Sequence, residues 1–342
     1  MKKIICLIFV FTFTFSFIFA FGGKDKAPSG NITIYTSMYE HVIESIKNDL
    51  QKQFPKCKIE FVYGGTVRQQ TKIASEKAAG QLGCDIIIVA DPTYSLELKE
   101  KGILHSYKSK EAANLAFDYD PSGYWYPVRV SNMVLAFNPE RHSSSNLPAS
   151  FRNLASDARV RGAIAMSNPR ISGTSASTIT ALKDLYGYSY FDSLSEQGIS
   201  FYYGSDEAVT KLENGEFRMV MILEETILRR RQQGSKLEVI YPSDGTVMIP
   251  SPIMIVNNKW SANKNVKAAE AITDWFLSEQ GQNAIVNGWM HSVRTDFSKL
   301  PYDAKPTNDI RANSISINWE SHYREMDEIR DRFEDSIARR RR

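Results

Sequence analysis

Between Asn31 and Ala90 the chain alternates short apolar runs with helical stretches, and this alternation leaves few folds open. Asn31–Thr36, NITIYT, reads as a β-branched strand. Tyr39–Phe54 follows with Val42, Ile43, Ile46 and Leu50 at helical spacing, and Pro55 stops it. Lys58–Tyr63 is a second strand, and Gly64-Gly65-Thr66 turns into a polar helix running to about Gly80. Asp85–Ala90, DIIIVA, is nearly all apolar, as a strand buried on both faces should be. Strand, helix, strand, helix, strand predicts an α/β class with a parallel sheet covered on both sides.

The middle of the chain changes character. Tyr124–Asn138 is long and extended enough to leave one lobe and enter another. Short strands are predicted at Arg161–Met166, Ile199–Tyr203 and Met219–Leu223, with helices after Asn168–Ser177 and over Ser205–Asn214. Leu237–Tyr241 and Thr246–Asn257 are the last strands, and Pro250–Val256 would be the return crossing. Helices are expected over Asn265–Leu277 and Gln280–Val286. The predicted organisation is two α/β lobes with parallel-rich sheets and two hinge crossings. Residues 31–130 and the return, 251–342, form the first lobe, and 131–250 the second. The charged helical end, about Asp309 to Ala338, would pack outside one lobe. Ligands of parallel sheets collect at strand carboxyl ends and helix amino ends, so the cleft between lobes is where site residues are sought.

The start of the chain adds a compartment. Lys2 and Lys3 lead into an apolar run from Ile4 to Phe21, and Ala20 is a small residue at a plausible cut. This is the layout of a secretory signal peptide over residues 1–20, with 21–30 as a linker and a periplasmic destination. An uncleaved anchor is the other reading of the run. The 342 residues are 42% hydrophobic and 24% charged, with room for two ordinary lobes. The net charge is +3, or +1 (3 − 2) once Lys2 and Lys3 leave, so no nucleic-acid partner is expected. The run Arg339–Arg342 reads as a solvated end. With Cys6 in the leader, Cys57 and Cys84 remain. Each precedes a strand, and if the first strand lies between them they sit about 9–10 Å apart. A disulfide needs Cα atoms within about 7 Å, so both are read as small buried residues.

Several phrases at the predicted cleft carry binding chemistry. Ser172-Gly173-Thr174 opens a helix, where unpaired amides and a positive dipole receive an anion and glycine lets it approach; a plain N-cap is the other reading. Ser37, Met38 and His41 follow the first strand, Gly65 and Thr66 the second, and Asp91 the third. Arg68 is read equally as an anion ligand or a surface residue. Ser131 and Arg129 lie by the first crossing; Trp125 is read as core, and Tyr126 as core or cleft wall. Ser205 and Asp206 open another helix, where capping competes with ligand contact. Glu224 and Glu225 end the apolar run Met219–Leu223 and would accept hydrogen bonds from hydroxyls or an amine. Tyr202 and Tyr203 are adjacent, but strand alternation turns them to opposite faces.

The ordered phrases Ile34-Tyr35-Thr36-Ser37, Val62-Tyr63-Gly64-Gly65-Thr66, Ala90-Asp91-Pro92, Ser172-Gly173-Thr174, Gly204–Val209, Pro250-Ser251-Pro252-Ile253 and Val293-Arg294-Thr295-Asp296 resemble the solute-binding proteins of ABC importers. The group concerned includes ferric-ion, phosphonate and sugar-phosphate receptors. The resemblance implies a two-lobed periplasmic-binding-protein fold, type II-like, and a receptor that closes on a small anionic solute and docks on an ABC permease in the inner membrane. It implies a sugar phosphate or related organophosphate as solute, a monomer, and no cofactor. Ferric receptors of the group carry an adjacent tyrosine pair where this chain has Glu224-Glu225. A ferric-ion receptor using His41, Glu224 and a bound anion is the alternative in the same class. An enzyme on the same scaffold is the alternative in another class, but the chain has no G-x-S-x-G elbow, H-E-x-x-H or P-loop. A sensor feeding a membrane kinase would use the same clamp.

Overall fold

The computed structural model describes residues 27–339. The predicted leader, Met1–Ala20, lies outside them, as do the first part of the linker and the last three arginines. The described chain opens with β1 (Gly30–Thr36), α1 (Glu40–Gln53), β2 (Cys57–Tyr63), α2 (Thr66–Ala78), β3 (Ile86–Ile88) and α3 (Pro92–Glu100). β1 pairs in parallel with β2 on one side and β3 on the other. The helical stripe Val42, Ile43, Ile46 and Leu50 is buried against them. Cys57 and Cys84 are free and buried, one at the start of β2 and one just before β3, with β1 between.

β4 (Tyr126–Phe137) leads to α4 (Phe151–Leu154), β5 (Ile164–Ser167), α5 (Gly173–Tyr186), α6 (Ser189–Gln197), β6 (Ser200–Tyr202), α7 (Ser205–Asn214), β7 (Met219–Leu223), α8 (Glu224–Gln232) and β8 (Glu238–Ile240). β5 pairs in parallel with β6 and β7. β9 (Val247–Ile255) is followed by α9 (Val266–Leu277), α10 (Glu279–Asn287), α11 (Thr307–Ala312), α12 (Trp319–His322) and α13 (Met326–Arg339). The strands run in the order β2-β1-β3-β9-β4-β7-β5-β6, with β8 also paired to β4. The sheet is thus mostly parallel at its two ends and antiparallel in the middle.

That middle is made by the two crossing strands. β4 and β9 pair antiparallel from Tyr126 opposite Ile253 to Met133 opposite Val247. Tyr126, Val128, Ile253 and Ile255 are buried in one core with β1 and α1. Met133, Leu135, Phe137, Val247 and Ile249 are buried in a second core with β5, α5 and α6. Each crossing strand therefore serves two cores, which is what makes the protein two-lobed. Pro127, Pro250 and Pro252 stand inside this ladder, and the register shifts between Pro127 and Arg129. Proline has no N–H to give a ladder, and a bulge bends its strand, so the joint between lobes is the least regular part of the sheet.

The end of the chain departs from the expectation that 251–342 returns to the first lobe as a whole. Ile253, Ile272 and Phe276 do join the first core. Ile329, Phe333 and Ile337 of α13 instead join the second. Their helical spacing gives α13 an apolar stripe, and the exposed face between α5 and α6 is what that stripe covers. Phe333 is fully buried and meets Phe191 edge-on, with ring centroids 5.1 Å apart. Phe333→Ala should therefore cost about 3–5 kcal/mol of stability, measured by chemical denaturation; a loss below about 1 kcal/mol would place α13 outside the core.

Candidate functional site

A cleft of about 420 Å³ lies between the lobes. Local chain geometry decides what faces it. β1 ends at Thr36, and the next residue, Ser37, turns its hydroxyl toward the Ala90 N–H, accepting at 3.1 Å. Thr66, at the start of α2, accepts from the same N–H at 3.3 Å. Both hydroxyls use a lone pair in this way, and each still carries a proton to donate. Across the cleft, Ser172 caps α5 by accepting from the Ser175 N–H at 3.2 Å, and its hydroxyl lies 3.0 Å from that of Thr174. The capping and cleft-facing readings of Ser172 thus coexist, since Ser172, Gly173 and Thr174 all line the cavity.

Gly173 has a role the sequence reading assigned to a ligand. A Cβ built there would lie 2.5 Å from Thr66 Cγ2 and 2.8 Å from the Ala90 carbonyl oxygen. The missing side chain makes room for the opposite lobe, so the lobes touch at the amino end of α5.

The charges are unevenly compensated. Arg129 comes off the bulged part of β4, is 3% exposed, and lines the cleft. Its Nη1 donates to the Met290 sulfur at 2.8 Å, and its Nε has no partner among the described residues. Burial pulls the guanidinium below its usual pKa, and the Glu225 carboxylate works in the opposite sense. Glu225 is itself buried, accepts from the Ser131 hydroxyl at 2.9 Å, and is held above the ordinary carboxylate range by desolvation, against the pull of Arg129. Burial also raises Tyr39, helped by the charge of Glu225, so its phenol stays neutral, with Ser205 and Thr226 as neighbours. Tyr39 stacks on His41 at 5.6 Å. His41 is lowered by burial and then by Arg229, which favours the neutral ring. Arg229 is paired with Asp206 at 2.8 Å near the rim.

The cleft is therefore lined by Ser37, His41, Gly65 and Thr66 from one lobe, and by Ser172–Thr174, Ser205, Asp206 and Glu225 from the other. Other expected residues lie elsewhere. Met38 is fully buried in the first core, because the apolar neighbour of Ser37 turns inward. Asp91 caps α3, accepting from Thr93 N at 3.0 Å, and lies outside the cleft lining. Ser131 sits behind Glu225. Glu224 is fully buried and held by Asn132 at 2.6 Å, His291 at 2.9 Å and the Tyr241 hydroxyl. It is thus separated from His41, the other residue of the proposed iron pair, which lines the cleft. Arg68 does not line the cleft. Tyr202 and Tyr203 both line the cleft, against the expectation that alternation separates them: Tyr202 is buried with its hydroxyl donating to the Met221 carbonyl at 2.9 Å, and Tyr203 is exposed. Tyr39 and Arg229 are cleft residues the sequence reading passed over. A phenol at the residue before α1 was the available signal for the first; for Arg229, inside a basic run on α8, there was none. Among the described residues, no cluster of three His, Cys, Asp or Glu side chains is arranged to hold a metal ion, and no helix is long and apolar enough to cross a membrane.

Comparison with known proteins agrees with this architecture. The structure of the periplasmic binding protein AfuA from Actinobacillus pleuropneumoniae, with exogenous fructose-6-phosphate bound, superposes with a TM-score of 0.78 at 22% identity, covering 90% of this chain and 99% of that one. Iron-bound HitA from Pseudomonas aeruginosa superposes with a TM-score of 0.78 at 20% identity, covering 90% and 99%. The periplasmic binding protein P5PA gives 0.75 at 19% identity, covering 90% and 100%. At these identities the likeness establishes the fold. No curated protein sequence matches the chain. The sequence pattern of the bacterial extracellular solute-binding proteins matches residues 84–320, more than half of the chain. The chain belongs to the bacterial extracellular solute-binding protein family.

Proposed function

We propose that the protein is a periplasmic receptor of an ABC importer that closes its lobes on a phosphorylated sugar or related organophosphate and releases it unaltered to a permease. The observation that carries this reading is Arg129. A buried guanidinium whose Nε has no partner among the described residues is unfavourable by itself. A phosphate would satisfy it through charge-assisted hydrogen bonds. The hydroxyls of Ser37, Thr66, Ser172 and Thr174 and the amino end of α5 would supply further donors around the same anion. Glu225, Asp206 and His41 on the same cleft would meet sugar hydroxyls. The bound solute would touch both lobes at once, so it would favour the closed state. The iron reading has less support, since burial raises Tyr39 and Tyr202 and so disfavours tyrosinate. AfuA supports the solute class by its bound fructose-6-phosphate, and HitA shows that iron must be tested beside it.

Titration calorimetry with fructose 6-phosphate, glucose 6-phosphate and ferric citrate is the direct test. Saturable one-to-one binding of a sugar phosphate is expected; stoichiometric iron with no sugar-phosphate binding would overturn the reading. Arg129→Met should lose about 2–5 kcal/mol of affinity for the phosphate, with thermal stability unchanged or higher because a buried charge is removed. Gly173→Ala should weaken binding by about 1–3 kcal/mol, the cost of overpacking falling on the closed state alone. Glu225 stays neutral to a higher pH than an ordinary carboxyl. Once it ionises it repels the anion and shares Arg129. The affinity of Glu225→Gln relative to wild type should therefore rise with pH across the Glu225 titration, and a ratio independent of pH would exclude that carboxyl from the anion's surroundings.

A further inference from the structure

Outside the cleft, α13 carries a second arginine whose bonding is incomplete. Arg330 lies on the helix that completes the second core, and its side chain is 11% exposed. Nη1 meets Asp327 Oδ1 at 3.1 Å, but Asp327 is 90% exposed, so that pair is screened by water. Nε and Nη2, the side-on edge of the guanidinium, are buried and have no hydrogen-bond partner among the described residues. That edge is the one that grips a carboxylate with two parallel bonds.

The carboxylate it faces belongs to the other lobe. Asp91 Oδ2 is 3.9 Å from Arg330 Nη2. Asp91 follows β3 and is fixed by the first lobe: Oδ1 accepts from Thr93 N–H at 3.0 Å and from its hydroxyl at 2.6 Å, and Oδ2 accepts from Gln70 Nε2 at 2.8 Å. Its lone pairs allow a further bond. The residue before it, Ala90, is where the lobes meet at Gly173. Arg330 and Asp91 share a side cavity of about 490 Å³ walled by α2 and α3 on one side and by the α12–α13 corner on the other. The corner is tied to the second lobe by His322 Nε2 on Asp184 at 2.5 Å. It reaches the first lobe through the Tyr323 hydroxyl and Arg324, at 2.8 and 2.9 Å from Glu100. Those two contacts are exposed and contribute little. The carboxylate within ion-pair distance of that edge is Asp91.

We propose that Arg330 and Asp91 form a clasp between the lobes, outside the solute cleft, that stabilises the closed state and so sets solute affinity. At 3.9 Å the pair is engaged electrostatically and short of hydrogen bonding. A small rotation of the Arg330 side chain would make it bidentate. Arg330 is a positioning residue in this scheme: it never touches the solute, and it acts through the population of the closed form. The solute arm of the test rests on the receptor reading above; the distance arm does not.

The test uses full-length protein carrying one probe on the exposed face of α1 and one on α7, with inter-probe distances measured with and without fructose 6-phosphate. Arg330→Gln and Asp91→Asn should each shift the solute-free distribution toward longer distances. Each should also raise the Kd for fructose 6-phosphate by about tenfold, and the double variant should be no worse than either single one. Asn keeps the cap of α3, so the Asp91 variant decides the matter if Arg330→Gln does not fold. Unchanged distances, additive losses in the double variant, or a tighter closed form in Arg330→Gln would overturn the clasp. If wild type binds no fructose 6-phosphate, the choice of solute fails, and the solute-free distances still decide the clasp.

Discussion

The structure depends on a single joint, the antiparallel pairing of β4 with β9. Both strands are buried along most of their length, and each contributes side chains to both cores. A joint made that way cannot come apart without exposing two cores, yet it must bend for the lobes to move. Proline placement answers the second need. Pro252 stands opposite Pro127, and Pro250 opposite Val130, within the ladder. Central strands ordinarily exclude proline because a ladder bond is lost. Here the losses fall where the sheet passes between lobes. The bulge beside Pro127 falls there too, and it brings Arg129 to the cleft floor. The proposed hinge and the proposed anion site would thus be consequences of the same irregularity, in keeping with the way bulges re-aim side chains next to binding sites.

The sequence showed which loops matter more reliably than which side chain in each loop matters. Apolar periodicity marked β1, α1, β2, α2 and β3 because burial on a sheet or helix imposes a period that composition cannot hide. The rule that ligands gather at strand carboxyl ends then pointed to Ser37, Thr66 and Ser172 at the cleft. It failed between neighbours. Ser37 faces the cleft and Met38 the core; Glu225 faces the cleft and Glu224 a buried network with Asn132 and His291; Ala90 lies at the cleft and Asp91 behind it. One residue of rotation reverses the direction of a side chain, and a turn between strand and helix has no period from which to read it. Arg129 and Ser131 both lie by the first crossing in sequence, but the bulge that separates their environments is a feature of pairing with β9, more than a hundred residues away. The docking of α13 was hidden for the same reason. Its stripe of Ile329, Phe333 and Ile337 is plain in sequence, and the surface it covers is not.

The electrostatics of the cleft carry a cost that an anionic guest, as proposed, would offset. A buried cation with an open donor and a buried carboxyl kept from ionising are each worse off than in water. They lie close enough for each to moderate the other, and neither reaches a full ion pair. A fully formed Arg129–Glu225 salt bridge would suit the empty protein better and an anion worse, since the arginine would have to be freed before it could bind. The partial compensation leaves the cation available while limiting its cost. A ligand that binds only the folded, closed form repays that cost as added stability in proportion to its occupancy.

Closure turns these local terms into a switch. With the lobes apart, Arg129 and the amino end of α5 would face water, where charges interact weakly. With the lobes together, Gly173 packs on Thr66 and Ala90 with no space for a methyl group. On the proposed reading, the same donors would then act across a drier gap and hold an anion more strongly. The close packing supplies the necessary limit. Because Gly173 packs on Thr66 and on the backbone carbonyl of Ala90, a closer approach of the lobes is blocked at that point. A guest too large would hold Gly173 away from Ala90 and leave the donors wet. A guest too small would leave either Arg129 or the acidic rim without a partner. If the cleft binds an anion as proposed, selection by size and selection by charge would share one structural cause, the approach of α5 to the loop after β3.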